Sequence, residues 1–159
     1  MRRSHIALGF ALALVAPVIG AAPAAAVSTT DPGQTYEGTV TKIWDGDSIR
    51  VSGIAQEVRL IGVDAAERGE CYYSQSKGFA EDELVGEPVT LRVDRLNDES
   101  DHRLFAYVYV DGEHYNLESV SQGYARERAY GPDYELRSEF EAAQQQAEQE
   151  HRGLWDACS

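Results

Sequence analysis

The chain is short of cysteine, methionine and positive charge. Among 159 residues there are two Cys and one Met, and 14 Lys and Arg stand against 27 Asp and Glu. Cys71 and Cys158 lie far apart, and His5, His102, His114 and His151 nowhere form an H-x-x-x-H pair. A closed zinc site and a thioredoxin-type dithiol are therefore excluded, and no local pattern supports a cysteine nucleophile with a histidine base. The twelve-residue ligand spacing of an EF-hand is missing, as is any internal repeat. The formal charge is −13, and such a surface repels polyanions at a distance in dilute salt. Outside Ile6–Ala22 no apolar run approaches the length that spans a bilayer.

That one apolar run follows Arg2 and Arg3 and precedes Ala24-Ala25-Ala26 and the polar Val27-Ser28-Thr29-Thr30. A basic start, a weakly hydrophobic Ala-rich stretch and an A-x-A site predict a secretory signal peptide over residues 1–26 rather than an anchor. Ser4-His5-Ile6 matches a twin-arginine signal poorly. Removal takes away two positive charges and no acid, so the formal charge moves from −13 to −15. The mature protein is expected outside the cell, away from the membrane and as a monomer. In an oxidising compartment, Cys71 and Cys158 are predicted to pair as one disulfide between the middle of the chain and its tail.

Residues 27–36, with Pro32 and Gly33, read as a flexible leader, and one domain is expected over 37–158. Val40, Ile43, Ile49 and Val51 form two β-branched runs around Trp44-Asp45-Gly46-Asp47, a predicted hairpin. Gln56–Val63 reads as a third strand, and Pro88–Asp94 and Leu104–Asp111 as two more. Helices are predicted over 74–85, around 117–121, and from Pro132 to about His151. The last carries Leu136, Phe140, Ala143 and Ala147 on one face. The fold expected is mainly β with helices (α+β), a five-stranded OB-type barrel with three helices; a six-stranded α+β sandwich is the alternative.

Three segments carry chemistry. Asp45-Gly46-Asp47-Ser48 sets two acids beside a glycine, either a plain hairpin turn or hard oxygen ligands for Ca²⁺ or Mg²⁺. In Val58-Arg59-Leu60-Ile61-Gly62-Val63-Asp64-Ala65-Ala66-Glu67 an arginine enters a buried strand and two carboxylates leave it. Arg59 then needs an anion, either a protein carboxylate or a bound phosphate. Asp64 and Glu67 could divide the roles of metal ligand and general base. Strict alternation, however, puts Arg59 and Asp64 on opposite faces, so their convergence requires a twist or a bulge. Arg103, opening the aromatic strand Leu104-Phe105-Ala106-Tyr107-Val108-Tyr109, is a second guanidinium for phosphate or a solvated strand end.

Taken together and in this order, these segments resemble the staphylococcal-nuclease-like (thermonuclease) family. The resemblance continues through Asn116-Leu117, Gln122-Gly123-Tyr124-Ala125 and Gly153-Leu154-Trp155, about residues 37–157. It implies an OB barrel with three helices. It also implies a Ca²⁺-dependent nuclease hydrolysing DNA and RNA, single- or double-stranded, at the 5′-O–P bond to leave 3′-phosphate ends. By position it implies Asp47 and Asp64 as Ca²⁺ ligands with the Ala65 carbonyl, and Asp45 as the neighbouring acid. Glu67 falls on the carboxylate that activates water, Arg59 and Arg103 on the arginines that bind the scissile phosphate, and Tyr130 and Tyr134 on nucleotide-contacting tyrosines.

Two stretches depart from the family pattern. Asp64-Ala65-Ala66-Glu67 stands for the usual Asp-Thr-Pro-Glu, and Ser100-Asp101-His102 for Lys-Tyr-Gly. The first keeps the carbonyl and loosens the loop, and the second loses a cation and an aromatic ring, which implies weaker nucleotide binding. The acidity conflicts with a polyanionic substrate, although a bound cation reverses the local sign and concentrated salt screens the remainder. The rival reading is a catalytically silent OB-fold module that binds nucleic acid or Ca²⁺, whose mark would be loss of one of the five charged positions Asp47, Arg59, Asp64, Glu67 and Arg103. All five are present.

Overall fold

A computed structural model describes residues 33–94, 103–131 and 133–158. The expected signal peptide, the first part of the leader and Ser100-Asp101-His102 lie outside the described residues. Among these residues eight strands and four helices follow in chain order: β1 (Thr35–Ile43), β2 (Ser48–Val51), β3 (Glu57–Leu60), β4 (Asp64–Ala65), α1 (Tyr73–Leu84), β5 (Pro88–Val93), β6 (Arg103–Val110), β7 (Glu113–His114), α2 (Tyr115–Ser121), β8 (Ala125–Arg126), α3 (Arg137–Gln149) and α4 (Leu154–Ala157).

The expected hairpin forms, with Lys42 opposite Arg50 and Ile43 opposite Ile49. β1 is long enough to serve two partners, pairing β5 through its first half and β2 through its second. A register shift between Val40 and Lys42 separates the halves, and such an irregularity bends a strand sharply. The sheet runs β3-β2-β1-β5-β6-β7, and a parallel pairing of β3 with β6 closes it into a five-stranded barrel. This is the OB-type α+β architecture the strand pattern implied. β4 and β8 make a separate two-stranded ribbon at the barrel mouth.

Inward-facing Ile49, Val58, Leu60, Leu91, Leu104, Ala106 and Val108 are fully buried. Each large aliphatic side chain so placed contributes roughly 1.5–3 kcal/mol. α3 closes the barrel with Phe140, also fully buried. Asn116 on α2 is buried as well; its Oδ1 accepts from Val108 N–H, and its Nδ2 donates to the carbonyls of Ile61 and Ala106. That amide ties β6 to the end of β3.

Sequence-based boundaries shift at three points, and one helix is added. β1 starts at Thr35, inside the expected leader. The third strand stops at Leu60 rather than Val63, because Gly62 turns with φ 76°. A Cβ at Gly62 would lie 2.8 Å from the Phe140 ring, so this bend requires glycine. α3 begins at Arg137, not at Pro132, since Tyr134 is drawn into the core and Glu135 N–H is used by Asp94. A short fourth helix, α4, follows the three expected ones.

Candidate active site

The β1–β2 turn points Asp47 inward, where the residue is 1% exposed. Oδ2 accepts the Ala65 N–H at 2.8 Å, and Oδ1 accepts from Ser48 Oγ and from the Arg59 guanidinium. Arg59 reaches it because Ser48 and Arg59 are cross-strand neighbours of β2 and β3. Burial raises the Asp47 carboxyl above the usual carboxylate range, and the Arg59 guanidinium beside it opposes that shift. The two side chains are one charge-balanced unit, in which removal of either strands the other.

Arg59 also carries the link to Asp64. Its NH2 donates to Tyr130 Oη at 2.6 Å and lies 3.8 Å from Asp64 Oδ1. Tyr130 O–H in turn donates to Asp64 Oδ1 at 2.6 Å, and Arg128 NH1 meets Asp64 Oδ2 at 3.2 Å. Burial and the bond to Asp64 raise the Tyr130 phenol to about 12, so it remains a donor. The Tyr130 ring sits between two guanidinium carbons, Arg59 at 5.0 Å and Arg128 at 5.1 Å. The convergence of Arg59 and Asp64 comes from the Gly62 bend, which ends the alternation before Asp64.

A cleft of about 400 Å³ opens over this network, lined by Arg59, Asp64, Ala65, Glu67, Arg103 and Tyr130 among others. Glu67 is exposed on the loop after β4, and its N–H is held by Glu70 Oε2 at 2.8 Å. Its own carboxylate takes no hydrogen bond from the described residues and is open to water. Arg103 rests against Glu57 at 3.2 Å, half exposed. The structure thus gathers Arg59, Asp64, Ala65, Glu67, Arg103 and Tyr130, with Asp47 directly behind Arg59.

Tyr134 is a correction: it does not reach the cleft. It is buried, edge-on to Phe140, with its hydroxyl donating to Glu127 at 2.9 Å. An aromatic residue preceding an amphipathic helix packs into the core beneath that helix. Conversely, Arg126 and Arg128 line the cleft and were not singled out from the sequence. Their signal was two arginines at alternate positions in a chain poor in cations, and β8 sets Arg126 opposite Asp64.

Among the described residues no three His, Cys, Asp or Glu side chains gather closely enough to form a metal site by themselves. Asp47, Asp64 and the Ala65 carbonyl are nonetheless hard oxygen donors, and Asp45 stands beside Asp47. A single guanidinium bridges the two carboxylates. Arg128 also pairs with Asp64, so the fit to a hard divalent ion rests on the all-oxygen donor set of Asp45, Asp47, Asp64 and the Ala65 carbonyl, whose coordination water and substrate oxygens commonly complete.

Comparison with known proteins bears on the same residues. A family model described as staphylococcal nuclease homologue matches residues 57–157. A thermonuclease of Staphylococcus hyicus is 32% identical over 130 residues, covering 77% of this chain and 76% of its own length. A thermonuclease of Staphylococcus intermedius is 28% identical over 159 residues, covering 95% and 94%. An uncharacterized protein of Methanocaldococcus jannaschii is 29% identical over 81% of this chain and 76% of its own. The chain belongs to the staphylococcal nuclease family and is a phosphodiester-hydrolysing nuclease.

Proposed function

We propose that this nuclease is a secreted, calcium-dependent endonuclease of DNA and RNA that cleaves the 5′-O–P bond and leaves 3′-phosphate ends. Nucleases of the family are metal-dependent in general. The observation that carries the reading is the shared cleft of Arg59, Asp64, Glu67 and Arg103, with Asp47 held against Arg59. Calcium, when bound by Asp47, Asp64 and the Ala65 carbonyl, supplies Lewis-acid polarisation of a phosphoryl oxygen. Glu67 accepts a proton from the attacking water as its oxygen bonds to phosphorus. Arg59 and Arg103 take up the charge that grows on the equatorial oxygens, in the bidentate geometry that suits guanidinium. The 5′ oxygen leaves with the bonding electron pair and is protonated from solvent. Tyr130 holds Arg59 and Asp64 in register throughout. Secretion is supported by the layout of residues 1–26 and by a Cys71–Cys158 bridge suited to an oxidising compartment.

The test is hydrolysis of single-stranded DNA and RNA by residues 27–159 prepared under oxidising conditions, with calcium and then with a chelator. Cleavage should require calcium, and Glu67→Gln should lower kcat by about 10²–10⁴-fold with KM little changed. Folded, disulfide-bonded protein that cleaves neither polymer would overturn the proposal.

A further inference from the structure

We propose that the outer face of the β1–β2 hairpin is a stacking site for single-stranded nucleic acid, where a base lies on Trp44 and its phosphates meet Lys42 and Arg50. The inference rests on the nuclease reading and extends it beyond the scissile bond. Trp44 is partly exposed, immediately before the Asp45-Gly46-Asp47 turn, with its backbone N–H donating to the Ser48 carbonyl at 3.0 Å. Lys42 Nζ lies 4.7 Å from its ring centroid and the Arg50 guanidinium carbon 5.3 Å. In a chain of net charge −13, these two cations converge on one indole and form no ion pair with a carboxylate of the described residues. Arg50 is further anchored by NH1 donating to the Ala55 carbonyl at 2.8 Å.

Sheet geometry connects this patch to the cleft. Cross-strand neighbours share a face, as do alternate residues along a strand. Lys42 faces Arg50, Ser48 (two residues before Arg50) faces Arg59, and Arg59 faces Phe105. Trp44, Lys42, Arg50, Arg59 and Phe105 therefore lie along one continuous outer face running from the hairpin to the catalytic cleft. β1 and β3 are two strand spacings apart, about 10 Å, which is within the span of neighbouring nucleotides. A strand presents bases and anionic phosphates in alternation, and an indole flanked by two cations complements both. Exposed cation–ring contacts are individually weak beside base stacking, so a base displaces them and leaves the cations to the phosphates.

The experiment follows binding of fluorescein-labelled dT2 and dT10 to the full mature chain in chelator by anisotropy, beside hydrolysis of unlabelled dT10 in calcium. Trp44→Ala should weaken dT10 binding about tenfold and leave the dT10-to-dT2 affinity ratio correspondingly smaller, with Trp44→Phe restoring most of it. Replacing Lys42 and Arg50 together by Gln should lower the slope of log affinity against log salt by about 1.4, at roughly 0.7 per phosphate contact. Equal loss for both lengths, or no loss, in Trp44→Ala with an unchanged melting temperature would overturn the stacking site. Retained calcium-dependent hydrolysis in that case leaves the nuclease reading intact. Absent hydrolysis with Trp44-dependent, length-dependent binding would overturn the endonuclease reading and support the stacking site as a binding surface.

Discussion

At Arg59 one guanidinium serves Asp47, Ser48 and Tyr130 and approaches Asp64. Its burial is tolerable only because those oxygens are there, and in the mechanism proposed above the same side chain also binds phosphate. His114 shows the opposite case, a polar group buried without full compensation. Tyr109 stacks on its ring at 4.7 Å, and Tyr107 and Phe140 meet it edge-on. Its Nε2 is buried with no hydrogen-bond partner among the described residues. Burial, reinforced by Arg92, lowers its pKa to about 4 despite Glu113, Glu118 and Glu139 around the same groove. The folded state thus binds its proton less readily than the unfolded chain, whose imidazole titrates near 6.5. Stability contributed by neutral His114 is full above about pH 6.5 and is lost as pH falls towards 4. Discounted for partial exposure, the loss amounts to about 2 kcal/mol. His114→Phe should reduce the difference in unfolding free energy between pH 7 and pH 4.5 by about that amount in urea titrations. An acid limb identical to that of the unaltered protein would refute the assignment.

Among the elements, the β1–β2 turn positions Asp47, and its packing leaves no room. A Cβ on Gly46 would sit 2.7 Å from Ala65 Cβ and 3.2 Å from Ser76 Cβ, pressing on β4 and α1 together. Gly46→Ala should cost about 1–3 kcal/mol through overpacking. It should also lower kcat, because Asp47 and Ala65 move apart. Urea unfolding with a lowered midpoint and unchanged slope would register the first effect, and single-turnover hydrolysis the second. Much of this arrangement was legible beforehand, since β-branched runs around an Asp-Gly turn define a hairpin and spaced apolar residues define α3. The motif order likewise selected Asp47, Arg59, Asp64, Glu67 and Arg103. The join between Arg59 and Asp64 was not legible, because it depends on Gly62 turning against Phe140, a contact between residues far apart in sequence. Tyr134 misled for the same reason: its spacing suited the cleft, but the core claimed its ring. Arg126 and Arg128 were hidden because β8 is two residues long and is positioned by β4 rather than by its own pattern.

Across the whole molecule the charge is unevenly spent. A chain with 14 basic residues sets four of them, Arg59, Arg103, Arg126 and Arg128, around one cleft, which gives an anionic substrate a place to bind on an otherwise repulsive surface. The loop that brings Glu67 to that cleft is short of its own packing, and residues 67–70 are exposed. It is held at one end by β4 and at the other by Cys71, bridged to Cys158 across 87 residues. The tail holding Cys158 is itself docked, with Leu154 N–H on the Gly123 carbonyl at 2.9 Å and Leu154 in the core. The bridge therefore restrains the unfolded chain and anchors the loop bearing Glu67. A closed loop of this length is worth about 4.6 kcal/mol by chain entropy, commonly less in practice. Replacing both cysteines by Ser should lower the melting temperature by roughly 10 °C. If the bridge also positions Glu67, kcat should fall at temperatures well below the new midpoint, where the variant is still folded, and more than KM changes. A variant that melts earlier but turns over at the original kcat would confine the bridge to stability and leave the positioning of Glu67 to β4 and the Glu67–Glu70 turn.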